Sequence, residues 1–224
     1  MGLCTNFYRQ FFLQIIAIPA VIAFTGHALI AQQDWHLKKD ENGIKVFTKN
    51  TDNSDFKSIR VECNINARIS QLVAFLLDIE KQKEWVYNYK NSELIKIIAA
   101  NEVVFYAEVC LPWPCSNRDY ISHITINQPS AQLVVIDSHT EPDLVPIKSG
   151  RVRIRTSSAH WEVTALSNNL QRIVYTVQFD PGGSVPSWLV NMFVTKGPYH
   201  TFQKIREGVV RPEYQNAHLD FIKE

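Results

Sequence analysis

Between Ser92 and Asp180 the chain reads as strand after strand, SELIKIIAA, VVFYAEVCL, YISHITI, LVVIDSHT, RVRIRTSSAHWEVTAL and QRIVYTVQFD, with clear apolar–polar alternation in the second and third. A period of two is the signature of strands with one buried face. The runs are separated by turn-forming residues such as QPS, EPD and SNN. Short connections between successive strands imply an antiparallel meander. In the second run Val103, Phe105, Ala107, Val109 and Leu111 share one face, and in the third Tyr120, Ile124 and Ile126 do likewise. Tyr106, Glu108 and His123 fall on the opposite face. A sheet with one apolar face must have that face covered.

The cover comes from both sides of the strand-rich stretch. Two earlier runs, GIKVFTKN and FKSIRVECNI, read as strands and are followed by RISQLVAFLLDIEKQKEWV. There Leu72, Val73, Phe75, Leu76 and Ile79 recur at helical spacing, and Ser70 is placed to cap the start. After DPGGSVP the pattern becomes helical again, from Ser187 through Val210. Pro198 lies inside that helix and predicts a kink, because proline removes a backbone donor at a cost of about 3 kcal/mol. The fold class expected is α+β: a large antiparallel sheet with one earlier helix and one long closing helix. A single helix roofs only part of a broad curved sheet. The rest is either core filled by side chains or a cavity, and periodicity does not separate the two.

Composition excludes several function classes. Lys and Arg total 23 against 22 Asp and Glu, a net charge of +1, so there is no basic surface for nucleic acid. The front end is unlike the rest. From Gln10 to Gln33 no residue is charged, and Arg9 precedes FFLQIIAIPAVIAF and then TGHALIA. This pattern predicts a signal peptide over residues 1–31 and an exported, periplasmic or extracellular, domain over 32–224. An uncleaved N-terminal membrane anchor is the alternative, since the run is long enough to cross about 30 Å of hydrocarbon. Beyond residue 31 three cysteines remain, Cys63, Cys110 and Cys115. A local bridge between the last two is conceivable in an exported chain, beside the reading of three small buried side chains.

Motifs for chemistry are missing. The seven histidines form no HExxH pair and no Cys/His cluster of zinc spacing, so no metal site and no cofactor are expected. GGSVP is a turn before a helix rather than a nucleophile elbow. Trp113, between two prolines at a loop tip, and Trp188, at the start of the last helix, are candidates for transient membrane contact, because tryptophan favours the bilayer interface.

Five segments carry a family likeness: DWHLKKDENGIKVFTK, the tryptophan of KEWVYNYK, EVCLPWPCSNRDY, GRVRIRTSSAHWEV, and YTVQFDPGGSVPSWLVNMFVTKGPYHTFQKIRE. Together, from about Asp34 to Val210, they resemble the START domain, the steroidogenic-acute-regulatory-related lipid-transfer family. PWPCSNRDY looks most like its phosphatidylcholine-transfer members. The resemblance implies a helix-grip fold, a curved antiparallel sheet around a long C-terminal helix, with an apolar tunnel that binds a lipid, a sterol or another hydrophobic molecule without chemistry. The protein is then expected not to be an enzyme. Ligand-lining residues expected on this basis are Trp85, Phe105, Ala107, Val109, Tyr120, Ile124, Val190 and Val194. Gly182, Gly183, Gly197 and Pro198 are the expected gate and hinge, and Arg118 is expected to pair with Glu108 as a structural polar contact. Two head-group signatures are changed. Gln82 stands where phosphatidylcholine binders carry an arginine, and Ile124 stands where sterol binders often carry a charge. Two other readings stay open: a polyketide cyclase or aromatase on the same scaffold, and an interaction module whose cavity is filled. Nothing in the sequence fixes an oligomeric state.

Overall fold

Ten strands form one sheet in the order β1-β2-β3-β10-β9-β7-β6-β5-β4, with β8 joined to β6. The computed structural model describes residues 35–51 and 54–224; the signal peptide or anchor expected at residues 1–31 lies outside them. The strands are β1 (His36–Glu41), β2 (Ile44–Thr51), β3 (Ser54–Ile65), β4 (Tyr89–Ala99), β5 (Glu102–Val109), β6 (Asn117–Ser130), β7 (Leu133–Thr140), β8 (Arg151–Arg153), β9 (Ser157–Ser167) and β10 (Leu170–Phe179). Every pairing is antiparallel except β6 with β8. The expected meander holds from β4 to β7. The run RVRIRTSSAHWEVTAL divides, however, into β8 and β9, which pair with different neighbours.

Both edge strands escape the alternation: in β4 Leu94, Ile95, Ile97 and Ile98 are all exposed. In β1 nearly every side chain is exposed, so it shows no period of two. Its signal is the turn: Asn42 and Gly43 have φ of 50° and 67°, the left-handed pair that a tight hairpin requires.

The helices are α1 (Ile69–Leu77), a 3₁₀ turn (Ile79–Lys81), α2 (Gln82–Trp85), α3 (Ser187–Asn191), α4 (Gly197–Gly208) and α5 (Pro212–Gln215). The helix expected over residues 68–86 breaks at Asp78, where ψ is 75°. Its N-cap is Arg68, not Ser70. Ser70 sits within the first turn, and its hydroxyl donates to the Ala217 carbonyl at 3.0 Å. The closing helix is not simply kinked at Pro198. Residues Met192–Lys196 form a π turn between α3 and α4, and Pro198 occupies the first turn of α4. There the missing donor costs least, and the wider turn before it absorbs the disrupted ladder.

The main core lies between the inner face of β2, β3, β9 and β10 and the helices α1 and α4. Ile44, Ile59, Val61, Val163, Ile173, Phe202 and Ile205 are all buried there. Phe75 of α1 packs on Trp85 and Tyr214, with ring centroids 5.2 Å apart in each case. A smaller cluster lies on the sheet's outer face: Val104, Tyr106 and Ile121, covered by Val145.

Candidate functional site: a cavity under the closing helix

The inner face of β5 and β6 is not covered as the other half is. Between it, the α1–α2 segment and the start of the closing helix lies a cavity of about 280 Å³. Ligand sites run from roughly 300 to 1,000 Å³, so this hollow sits at the lower edge of that range. Its wall is mainly apolar. Trp85, Phe105, Val109, Tyr120 and Ile124, each expected there from sequence, are lining residues, and so is Pro198, expected as part of the hinge.

Three expected lining residues are elsewhere. Ala107 is fully buried in a cluster with Ile79, Val103 and Phe105; its single methyl stops short of the hollow. Val190 and Val194 pack into the main core. Leu189 and Phe193, each one residue earlier round the helix, face the cavity instead, with Gly197 and Thr201. The far wall, from Trp161, Tyr175 and Phe179 of β9 and β10, went unassigned in the sequence. Their strands read correctly, but nothing local says which part of an apolar face stays uncovered.

Arg118 is the one permanently charged residue in the described wall, and it does not pair with Glu108. The register places Arg118 opposite Val109, and Glu108 opposite Asp119. Alternation therefore sends Arg118 inward and Glu108 outward. Arg118 is 4% exposed and donates only to backbone carbonyls: Nε to Pro181 at 3.0 Å, Nη1 to Ser116 at 2.6 Å and Nη2 to Gly182 at 2.9 Å. It clamps the loop that leads into α3. Gly182 and Gly183 in that loop have φ of 68° and 64°, which side chains with a Cβ rarely adopt. Gly197 is different. Its φ is helical, at −57°, and a Cβ there would lie 3.1 Å from Tyr87 Cδ1, so its part is close packing.

Glu108 accepts from Asn117 Nδ2 at 2.7 Å and Lys90 Nζ at 3.3 Å, and forms an ion pair with Arg151 at 2.8 Å. Burial alone would raise its pKa, but these donors together hold it below the usual carboxylate range. Asp119 faces outward too. It accepts both arms of the Arg153 guanidinium, at 2.8 and 3.0 Å, with the pair essentially fully buried. Arg153 also donates to the carbonyls of Pro142 and Val145. Successive residues of the RDY segment thus hold loops on opposite faces of the sheet.

The two polar positions of the head-group signatures are neutral. Gln82 is buried, and its Nε2 donates to the Leu76 carbonyl at 3.2 Å. Ile124 lies against apolar neighbours. The indole N–H of Trp85 is buried without a hydrogen-bond partner, which leaves one donor in the wall unused. Burial raises the Tyr120 hydroxyl far above its ordinary pKa, with a smaller push from Tyr175, so it is a neutral phenol. The three cysteines among the described residues are free thiols, Cys63 buried and Cys110 exposed. Trp113 is 90% exposed and Trp188 51%.

A curved antiparallel sheet closed by a long C-terminal helix over an apolar hollow defines the helix-grip class. The structure matches a STAR-related lipid transfer protein from Xanthomonas axonopodis with a TM-score of 0.73 and 30% identity, over 79% of this chain and 99% of that one. It matches human START domain-containing protein 10 with a TM-score of 0.69 at 24% identity, over 84% and 78%. The sequence fits the model of the START domain over residues 20–213: the chain belongs to the START domain family. A Pseudomonas aeruginosa protein is 29% identical over 86% of this chain and 94% of its own length. The phosphatidylcholine transfer protein of Rattus norvegicus is 25% identical over 73% and 78%. An aromatase/cyclase from Streptomyces shares the fold at 12% identity, with a TM-score of 0.51.

Proposed function

We propose that this protein is a non-enzymatic carrier or sensor of a lipid or similarly hydrophobic molecule, held in the cavity beneath its closing helix. One observation carries the reading: an apolar hollow persists between a sheet and a helix that are elsewhere tightly packed, and its described wall holds no carboxylate and no lysine. Each methylene moved from water into such a wall contributes about 0.8 kcal/mol, which compensates a lipid for leaving a bilayer. Relatives named as lipid-transfer and phosphatidylcholine-transfer proteins support the same class. With Gln82 and Ile124 neutral, recognition rests on shape and on isolated donors such as the Trp85 N–H, rather than on an arginine at either signature position.

The loop clamped by Arg118 is the proposed gate, with Trp113 and Trp188 as points of contact with the membrane. The apolar run at residues 10–33 would export the domain or tether it. A cyclase reading needs a cluster of ionisable residues facing the cavity; the described wall offers Arg118, which is held by backbone carbonyls, His139 at the edge and neutral tyrosines, with no carboxylate, which favours the carrier.

The test is uptake. Delipidated wild-type protein is expected to bind a fluorescent fatty acid, sterol or phospholipid, and native mass spectrometry is expected to show a co-purifying lipid. Ile124→Trp, which fills the hollow, is expected to cut uptake at least tenfold while keeping the far-UV circular dichroism of the wild type. Failure of the wild type to take up any of the three probes would end the carrier reading.

A further inference from the structure

The outer face of the sheet carries a polar cluster, of which only His139 also borders the cavity. His123 lies on β6 opposite Val104 and, on its other side, directly opposite His139 of β7. Glu102 opens β5. Glu141 follows β7, and its backbone N–H donates to the Ile121 carbonyl at 3.0 Å, which fixes its position against the sheet. His123 Nε2 is 2.7 Å from Glu102 Oε1, and Nδ1 is 2.7 Å from Glu141 Oε1. His139 Nε2 is 3.9 Å from that same Glu141 oxygen, and the two imidazole rings are 5.0 Å apart.

This arrangement asks for a cation. A neutral imidazole donates through one nitrogen only. Its other nitrogen then presents a lone pair to a carboxylate oxygen, and at 2.7 Å that contact is repulsive unless something positive lies between them. A proton on His123 is one answer and a metal ion is the other. The second imidazole separates them. A proton shared by His123 and Glu141 has no need of a third ligand, whereas a metal ion does, and His139 brings its nitrogen toward the same oxygen.

We propose that His123, His139 and Glu141 form a site for a divalent transition-metal ion of the zinc type, with Glu102 positioning His123. The three ligand atoms lie within 4.8 Å of one another. Zinc binds nitrogen and oxygen at about 2.0–2.2 Å, so ligands around one tetrahedral ion are roughly 3.3 Å apart. The separations of 2.7 and 3.9 Å bracket that distance, and small side-chain rotations reach it. Glu102, bound to the far nitrogen of His123, is the carboxylate that commonly orients a metal-ligating histidine and raises its basicity. His139 is 61% exposed, so the site is reachable from solvent and leaves a coordination position for water or another ligand. Imidazole with carboxylate suits zinc and its neighbours rather than magnesium or calcium. The spacing H-x15-H-x-E resembles no zinc motif because the ligands come from neighbouring strands and a loop, and only the strand register brings them together.

The test is a Zn²⁺ titration of the full chain, purified without a polyhistidine tag, by calorimetry and by thermal shift. The expected result is uptake of one ion per chain and a raised melting temperature. His139→Ala and Glu141→Gln are expected to abolish that uptake, while Glu102→Gln, which removes no ligand, weakens it roughly 10–100-fold. His139 is exposed, so its replacement leaves the fold intact, and circular dichroism checks this. His160→Ala, at an exposed histidine outside the cluster, is expected to bind as the wild type does. Absence of Zn²⁺ uptake by the wild type, as a protonated His123 alone would give, overturns the proposal. Equal binding by wild type and His139→Ala, or loss of binding in His160→Ala, overturns it as well.

Discussion

The inner face of the sheet has two halves that differ in how they are roofed. Over β2, β3 and the parts of β9 and β10 around Val163 and Ile173 the closing helix seats directly: Ile205 is fully buried, and a Cβ at Gly208 would lie 2.6 Å from the Phe75 ring. Over β5, β6 and the parts of β9 and β10 that carry Trp161, Tyr175 and Phe179 the start of the same helix stands off, and a cavity remains. Strand and helix types are alike in the two halves. The difference lies in α1, which backs α4 with Phe75, and in the π turn, which carries the earlier part of the helix along a different phase. Packing is concentrated in one part and vacancy in the other, so on the proposed carrier reading a guest would enter without unfolding what holds the domain together.

The largest expected effect tests the packed half. Phe75→Ala should cost about 3–5 kcal/mol in urea unfolding, because its contacts with Trp85 and Tyr214 are lost in a region that cannot collapse. Gly208→Ala comes next. It forces the buried Phe75 ring to move, at about 1–3 kcal/mol, partly offset by up to about 1 kcal/mol of better helix propensity. Phe105→Ala, beside the hollow, should cost under about 3 kcal/mol, the bottom of the range for Phe→Ala, because one side of its ring already lacks partner atoms. It should change ligand uptake, which Gly208→Ala should not. Equal costs for Phe75→Ala and Phe105→Ala would break the distinction between the halves.

The smallest effect concerns the outer face of the hollow half. Glu108 has a folded pKa below its unfolded value. Its stabilisation is therefore full above the ordinary glutamate pKa, about 4.3, and is lost as pH falls through the folded value. Unfolding of the wild type measured down that range should lose stability that Glu108→Gln never had, so the two curves converge in acid. Parallel curves would show that Asn117, Lys90 and Arg151 do not stabilise the carboxylate.

Much of this was legible before the fold was known. Alternation marked β5 and β6, and parity placed Phe105, Val109, Tyr120 and Ile124 on the face that borders the cavity. Parity also contradicted the expected Arg118–Glu108 pair, since Glu108 was already assigned to the outer face, but only the β5–β6 register shows the two side chains diverging. Val190 and Val194 were placed one residue off round the helix, because Leu189 and Val190 are both apolar and nothing local says which of them meets the hollow. Pro198 marked a disturbance of that helix without saying that a π turn would resolve it. β1 lacked alternation because both its faces are solvated, although Asn42-Gly43 announced its hairpin. The His123, His139 and Glu141 cluster was invisible because strand pairing, not spacing, assembles it.

The adjacency of Arg118 and Asp119 has a mechanical result. One peptide group joins the anchor of the loop at Pro181–Gly182 to the anchor that, through Arg153, secures the Pro142–Val145 loop on the reverse side. Paired with β5 on one side and β8 on the other, that peptide is held rigidly. If the Pro181–Gly182 loop is the proposed gate, its hinge post is thus braced from the reverse side of the sheet, and loosening the Arg153–Asp119 pair would be expected to loosen the gate.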